Sequence, residues 1–394
     1  MIPNADIDAI VDRITPDLIA LRRKLHQHPE LAFEEHETAR LIAGYLRAAG
    51  LAVRTGIGGT GVVGLLEGAG AGRTIGVRAD IDALPVTEQS GVPYPSQVPG
   101  RMHACGHDAH TVIALGVAQV LSTLRGRLSG GVKMIFQPAE ETLSGAAAMI
   151  ADGVLDDPAM DVILGYHNWP LLQTGLVGYH ANVVMASSDA FDIVIKGKAG
   201  HAAHPHNGID ALIGTAQLVS ALQTVVSREI APAIPAVVTV GQIEGGTARN
   251  VIAEKVVLRG TARTLDAGAA SQVEASVRRI VAGICTALRL EHEITWKRQC
   301  PVLQNDGAVL AQVLASTRSV LGADKVVELG AASMGSEDFA WFAERIPAAH
   351  VKIGSKIDGL ETAIHRSNYD CNELAIPIGV RTVARAVIDL LAAK

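Results

Sequence analysis

Met102-His103-Ala104-Cys105-Gly106-His107-Asp108-Ala109-His110 sets three histidines, a cysteine and an aspartate around one glycine. Directly behind it Val112, Ile113, Leu115, Gly116, Val117, Val120 and Leu121 recur at helical spacing, so the polar cluster occupies a turn that opens a buried helix. Side chains on such a turn point at one place. Thiolate and imidazole suit a zinc-like divalent cation, and Asp108 could orient a ligand or bind an ion itself. The competing reading is packing: a lone cysteine is often a small buried hydrophobe, and Cys-x-His lacks the paired-cysteine spacing of a structural zinc site.

Outward from this turn, short apolar runs end three times in polar residues. Thr74-Ile75-Gly76-Val77 leads into Arg78-Ala79-Asp80, Val132 to Phe136 into Gln137-Pro138-Ala139-Glu140-Glu141, and Val162-Ile163-Leu164-Gly165 into Tyr166-His167-Asn168. Helical segments at 109–124 and 145–153 separate the runs, which predicts an α/β fold whose catalytic domain is a mixed sheet flanked by helices. Ligands of such sheets sit at the carboxyl ends of the strands, so the three ends are expected to converge on one crevice. Adjacent glutamates are usually a solvated turn, yet Glu140-Glu141 follow a buried strand and a proline. If one carboxylate holds a metal, its neighbour can serve as general base; adjacency alone does not say which does which.

Amphipathic helices are expected over 5–26 and from Glu35 to Ala49, where Gly50 stops the second. Gly56-Ile57-Gly58-Gly59-Thr60-Gly61 satisfies G-x-G-x-x-G, but that fingerprint must open a helix. Here Val62, Val63, Leu65 and Leu66 lead through Gly68 to the run at 74–77, as in a hairpin. Residues 187–300 read as strand, helix, strand, strand, helix, strand: Phe191 to Lys196, Ile209 to Arg228, Ala236 to Ile243, Val251 to Thr264, Ala270 to Leu288 and Glu293 to Lys297. This predicts an inserted α+β, ferredoxin-like domain between a first catalytic part, 1–186, and a second, 301–394. The second part carries a helix at 307–321, the loop Ser333 to Phe339, a strand from His350 to Gly354, His365 in a polar loop and a closing helix begun by Pro377.

With 394 residues the chain exceeds one ordinary core. Its 34 basic and 40 acidic residues form no Lys/Arg run that would suit nucleic acid or an anionic membrane. The longest apolar stretch, near Thr111 to Leu124, is broken by Gln119 and Ser122, so no transmembrane span is expected. The four scattered cysteines and the opening M-I-P-N-A-D give the expectation of a reduced, cytoplasmic setting.

Taken in order, these motifs resemble the aminoacylase and carboxypeptidase-like metallopeptidases, in particular the amidohydrolase branch of hippurate hydrolase and indole-acetyl-amino-acid hydrolases. The ordered set runs from Leu25-His26 and Phe33-Glu34 through R-A-D-I-D-A-L-P at 78–85, M-H-A-C-G-H-D-A-H, F-Q-P-A-E-E at 136–141 and G-Y-H-N at 165–168. It continues with G-K-A-G-H-A-A-H-P at 197–205, Asn250-Val251-Ile252, M-G-S-E-D-F at 334–339 and His365. The resemblance implies a di-zinc aminopeptidase-like catalytic domain and an inserted domain that dimerises and acts as a lid. It also implies two divalent ions per subunit, zinc or manganese with cobalt and nickel as further candidates, held by Cys105, His107, Glu141, His167 and His365, and Glu140 as general base. The wider superfamily has a ligating histidine where this chain has Arg78, which leaves the role of Asp80 open; it is carried as a catalytic candidate.

The same resemblance makes the substrate a small N-acyl amino acid whose amide is split into a carboxylic acid and an amino acid. His201 and Asn250 are the candidates to steady the developing oxyanion, and Arg263 to hold the substrate carboxylate. A deacetylase of N-acetyl-diaminopimelate or another small amide or dipeptide hydrolase is the nearer rival. A non-catalytic metal-binding dimer is the more distant one, and its mark, a missing ligand or base, is absent from the sequence.

Overall fold

The computed structural model describes residues 2–393, which divide into two compact units. The larger takes the chain up to Val184, Gln304–Ala331 and the residues from Asp338 on. Its helices of seven residues or more are α1 (Asn4–Gln27), α2 (His36–Ala48), α3 (His107–Thr123), α4 (Gly145–Ala151), α5 (Gly307–Leu321) and α6 (Ala375–Ala392). Its sheet strands are β1 (Ala52–Ile57), β2 (Gly61–Glu67), β3 (Gly70–Asp80), β4 (Ser129–Gln137), β5 (Val162–Gln173), β6 (Val177–Tyr179), β7 (Val326–Glu328) and β8 (Ala348–Lys356).

These strands form one eight-stranded mixed sheet in the order β1-β2-β4-β3-β5-β8-β6-β7. The four central strands, β4, β3, β5 and β8, are parallel neighbours. Their Val/Ile/Leu-rich interiors are buried on both faces, as a parallel sheet covered by helices requires. Helix α3 is buried nearly all round, which explains why its apolar residues do not keep to one stripe. It packs against α1, α6 and β3. The β4, β3 and β5 ends thus lie side by side, and the polar turn before α3 sits over them.

One expected pairing fails. The glycine-rich turn joins β1 to β2, with Gly56, Gly58 and Gly59 at φ of 77°, 65° and 99°. Strand β2, however, pairs with β4 and not with β3. The link from β2 to β3 crosses the start of β4, where Gly68 N and Ala69 N donate to Gly130 O and Leu128 O at 2.8 Å each. A buried strand needs partners on both edges, and β3 finds its own in β4 and β5.

The smaller unit comprises Met185–Leu303 and Ala332–Glu337. Its antiparallel sheet orders the strands Ala236–Gly245, Lys255–Thr264, Ser188–Lys196 and Glu291–Cys300. Helices Ala211–Thr224 and Ala267–Ala287 pack on each other and on this sheet through Leu218, Leu222, Val273 and Val277 against Phe191, Ile193, Val256 and Leu258. Two details differ from the sequence reading. Val251–Ile252 does not begin the long strand but pairs with Gly200–His201, because Gly197 N donates to Glu254 O (2.8 Å) and closes that ribbon separately. Residues 332–337, counted above with the closing catalytic part, belong to this unit: Ala186 N donates to Ser333 O (3.0 Å) and Gly335 O (2.9 Å). Among the described residues, no helix is long and apolar enough to cross a membrane.

Candidate active site

Gly106, at φ 87°, turns the chain into α3 and presents Cys105 and His107 side by side. An ideal Cβ there would lie 2.1 Å from Asn168 Nδ2 and 2.3 Å from Tyr369 Oη, so both space and backbone demand glycine. Cys105 Sγ is 3.3 Å from Nε2 of His167, which β5 carries. His107 Nε2 lies 3.8 Å from Glu141 Oε1 and 4.0 Å from Glu140 Oε2, both just beyond β4. His365, at φ 66° with its N–H donated to Ala104 O (2.7 Å), reaches Glu141 Oε2 with Nε2 at 3.2 Å. The five expected ligands and Glu140 therefore meet within the larger unit.

Three observations fit a divalent cation. Cys105, His107 and His167 offer donor atoms within 4.8 Å of one another, and so do Cys105, Glu141 and His365, as well as His107, Glu140 and Glu141. Overlapping triads suit two adjoining ions better than one. His107 Nε2 and Glu141 Oε1 are buried without a hydrogen-bond partner, a costly state for polar atoms in a protein interior. Finally, the charges call for a cation. Burial pushes the Glu141 carboxyl up to about 7, against the pull of His107 and with the help of Asp82 and Asp80. Burial opposes a charged His107, yet Asp80, Asp82 and Glu141 hold its imidazolium up to about 10. A carboxylate-rich site that stabilises one buried positive charge so strongly is suited to a metal ion in its place.

The imidazoles are oriented for that role. His107 Nδ1 lies 2.9 Å from Asp82 O and 3.1 Å from Asp82 Oδ1, both acceptors, so the proton sits on Nδ1 and the lone pair can face the site. His167 is held well below the ordinary imidazole range, chiefly by burial, and its Nδ1 donates to Asn168 O. Burial and nearby His107 also lower His365. His167 and His365 thus present neutral nitrogen donors, and His107 becomes one when a cation takes the place of its second proton.

Other expectations need correction. Asp108 is no ligand: its Oδ2 lies 2.8 Å from Arg22 Nε and 2.8 Å from His26 Nδ1, in a wholly buried cluster that holds its carboxyl far below the usual range. Burial lowers His103 to about 4 and leaves it neutral. Asp80 is fully buried, with one oxygen 2.6 Å from His110 Nδ1 and the other 2.7 Å from Arg78. Its carboxylate is engaged on both sides, by an imidazole and by a guanidinium.

His201 and Asn250 are carried by the smaller unit, where the ribbon sets His201 opposite Val251 and Ala202 N donates to Asn250 O (3.0 Å). Both are exposed. Arg263, on the same unit, donates to Ser336 Oγ (3.0 Å) and Met334 O (3.3 Å), which engages its guanidinium with the M-G-S loop.

Several supporting residues escaped the sequence reading. Asp82 holds His107; His110 spans Asp80 and Asn168 N (2.8 Å); and Asn168 donates to Cys105 O (3.1 Å) while accepting from Tyr369 Oη (2.6 Å) and Ser355 Oγ (3.1 Å). The alternation Arg78-x-Asp80-x-Asp82 at a strand end was the available signal for the first of these.

The family model described as Peptidase family M20/M25/M40 matches residues 76–389. The N-acetyl-L-cysteine deacetylase of Bacillus subtilis is 41% identical over 368 residues, 91% of this chain and 87% of that protein. A putative aminohydrolase from methicillin-resistant Staphylococcus aureus superimposes with a TM-score of 0.95 at 34% identity, covering 99% of this chain and 100% of that one. The Bacillus subtilis YXEP protein, described as a dinuclear metal binding peptidase from M20 family, has a TM-score of 0.84 at 35% identity over 97% of this chain and all of its own.

Proposed function

The chain belongs to peptidase family M20/M25/M40, and from that premise we propose that it is a two-metal amidohydrolase of the hippurate hydrolase and aminoacylase type, cleaving N-acyl amino acids. An amidohydrolase or deacetylase acting on N-acyl amino acids agrees with its relatives; the hippurate-like preference is our narrower reading. The observation that carries it is the meeting of Cys105, His107, Glu141, His167 and His365 around unpartnered His107 Nε2 and Glu141 Oε1, with Glu140 alongside.

In this reading those five residues hold two divalent ions, zinc or manganese. When bound, the ions supply Lewis acidity toward the amide carbonyl and lower the pKa of water at the site. Glu140, the neighbour not tied to His365, takes the proton from the attacking water and returns it to the departing amine nitrogen. Asp80 and Asp82 keep the imidazoles oriented. His201 and Asn250 serve to steady the developing oxyanion, and Arg263 to hold the substrate carboxylate. We further propose a cytoplasmic homodimer formed through the smaller unit. What supports the dimer is the edge strand Ala236–Gly245, which exposes Val237 and Ile243, and its neighbouring helix, which exposes Leu212 and Ile213.

Turnover of an N-acyl-amino-acid panel tests the substrate reading. Hippurate and other N-acyl amino acids should be split with N-acetyl-diaminopimelate a poor substrate; strong preference for the latter would make the protein a diaminopimelate-type deacetylase instead.

A further inference from the structure

Helix α2 buries Ile42, Ala43 and Leu46 in the core of the larger unit. Leu41, Gly44, Tyr45 and Ala48 recur at helical spacing on a second face, and with Leu25 of α1 and Val98 of the segment before α3 they line an open groove of about 820 Å³. That volume lies in the range of small-molecule sites, and none of the lining residues is among the candidate metal ligands. Gly44 is the unusual member. Glycine inside a helix costs stability relative to alanine, and a packing reason for it is a neighbour that leaves no room for a side chain. An ideal Cβ at Gly44 would meet nothing within 4 Å. Packing within the chain therefore does not demand glycine there; the missing side chain leaves free space in the groove wall.

The rim is charged, and most of its charges are engaged. Glu30 accepts from Glu37 N (3.0 Å) and Thr38 N (2.8 Å), which commits both its oxygens to the start of α2. Glu37 pairs with Arg40, and Arg101 lies 2.8 Å from Glu34. His28 Nδ1 donates to Lys24 O (2.9 Å). Lys24 itself is exposed, and among the described residues its ammonium is the one charged group of the rim with neither an ion pair nor a hydrogen bond.

We propose that this groove is a binding site for a small apolar monocarboxylate, an alkyl or aryl acid whose body covers the Leu41, Gly44, Tyr45 and Ala48 face and whose carboxylate pairs with Lys24. The apolar lining supplies the affinity, and the ammonium supplies the choice of an acid over a neutral molecule. One negative charge is the match, because one cation is left and a second anionic group would meet Glu30 and Glu37. The acid half released by the proposed amide cleavage is of this class, but the chemistry of the groove does not depend on that reading.

The test is calorimetric titration of the full chain with octanoate and with octanol, beside the variants Gly44→Leu and Lys24→Met. Octanoate should bind saturably to the native protein and more tightly than octanol. Gly44→Leu fills the groove from an exposed helix face, so it should abolish octanoate binding while raising Tm and leaving hydrolytic kcat unchanged. Lys24→Met should weaken octanoate about three- to fivefold, the worth of an exposed ion pair, and leave octanol unaffected. Octanoate binding that survives Gly44→Leu would place the acid elsewhere on the molecule and overturn the proposal. So would absence of saturable binding, or equal affinities for octanoate and octanol in the native protein. If Gly44→Leu instead changes the molecular mass in sedimentation while octanoate is ignored, the groove receives a second copy of the chain and the carboxylate assignment falls.

Discussion

Glu140 and Glu141 are neighbours in sequence and yet differ in surroundings. Glu141 lies against His107 and His365, and its backbone N–H is fixed by Asp82; Glu140 Oε2 approaches the same imidazole nitrogen at 4.0 Å. Glu140→Gln should keep its metals and fold while kcat falls about 10²–10⁴-fold, the usual worth of a general base. Glu141→Gln should lose metal affinity first. Elemental analysis beside steady-state kinetics checks both, and an unchanged metal content in the two variants would reject the division. Ligands and base were readable from the sequence because their chemistry is rare in packing. Asp82 and Asn168 were not, since an aspartate or asparagine declares its partner only when two distant elements meet. Asp108 misled for the same reason: beside His107 in sequence, it turns instead toward Arg22 and His26 of α1.

At the scale of elements, the end of β3 is locked by Arg78, a fully buried guanidinium 2.7 Å from Asp80, 2.8 Å from Gln137 and 3.1 Å from Asp338. Asp338 also accepts from Gln137 Nε2 (2.7 Å) and Ala146 N (2.9 Å), so β3, β4, α4 and the returning chain share one knot. Removing the cation takes the guanidinium from between two buried carboxylates. Arg78→Met should therefore cost about 3–5 kcal/mol, measurable by urea unfolding, whereas a loss below about 1 kcal/mol would show that the knot is dispensable. The turn into α3 is equally constrained. Gly106→Ala forces a side chain into a left-handed backbone and into Asn168, which should lower both Tm and bound metal together. Periodicity identified these strands and helices, and the three parallel strand ends met as expected. Strand partners were harder: β2 belongs beside β4, a choice set by a link that passes over another strand's start, which no local pattern records.

For the whole molecule, the smaller unit contributes its own pH dependence. Burial pushes the Asp189 carboxyl up to about 6, with Arg298 opposing. Since the folded value exceeds the unfolded one near 3.8, the contribution to stability is fully present below that pH and lost as pH rises through about 6. Asp189→Asn should accordingly gain in Tm relative to the native protein at pH 7.5 but not at pH 3.5; an equal difference at both would contradict the assignment. The ferredoxin-like element order was legible because its strands alternate and its helices do not, while the capture of residues 332–337 by the smaller unit depends on backbone hydrogen bonds that the sequence does not signal. Everything proposed about activity rests on two ions that Cys105, His107, Glu141, His167 and His365 would hold. The direct measurement is hydrolysis of an N-acyl amino acid by chelator-stripped protein, before and after reloading with zinc or manganese, with bound metal determined on the same samples. Without metal there should be no turnover, and activity should recover as two ions per chain are taken up. Full turnover in protein shown by elemental analysis to hold no metal would contradict it.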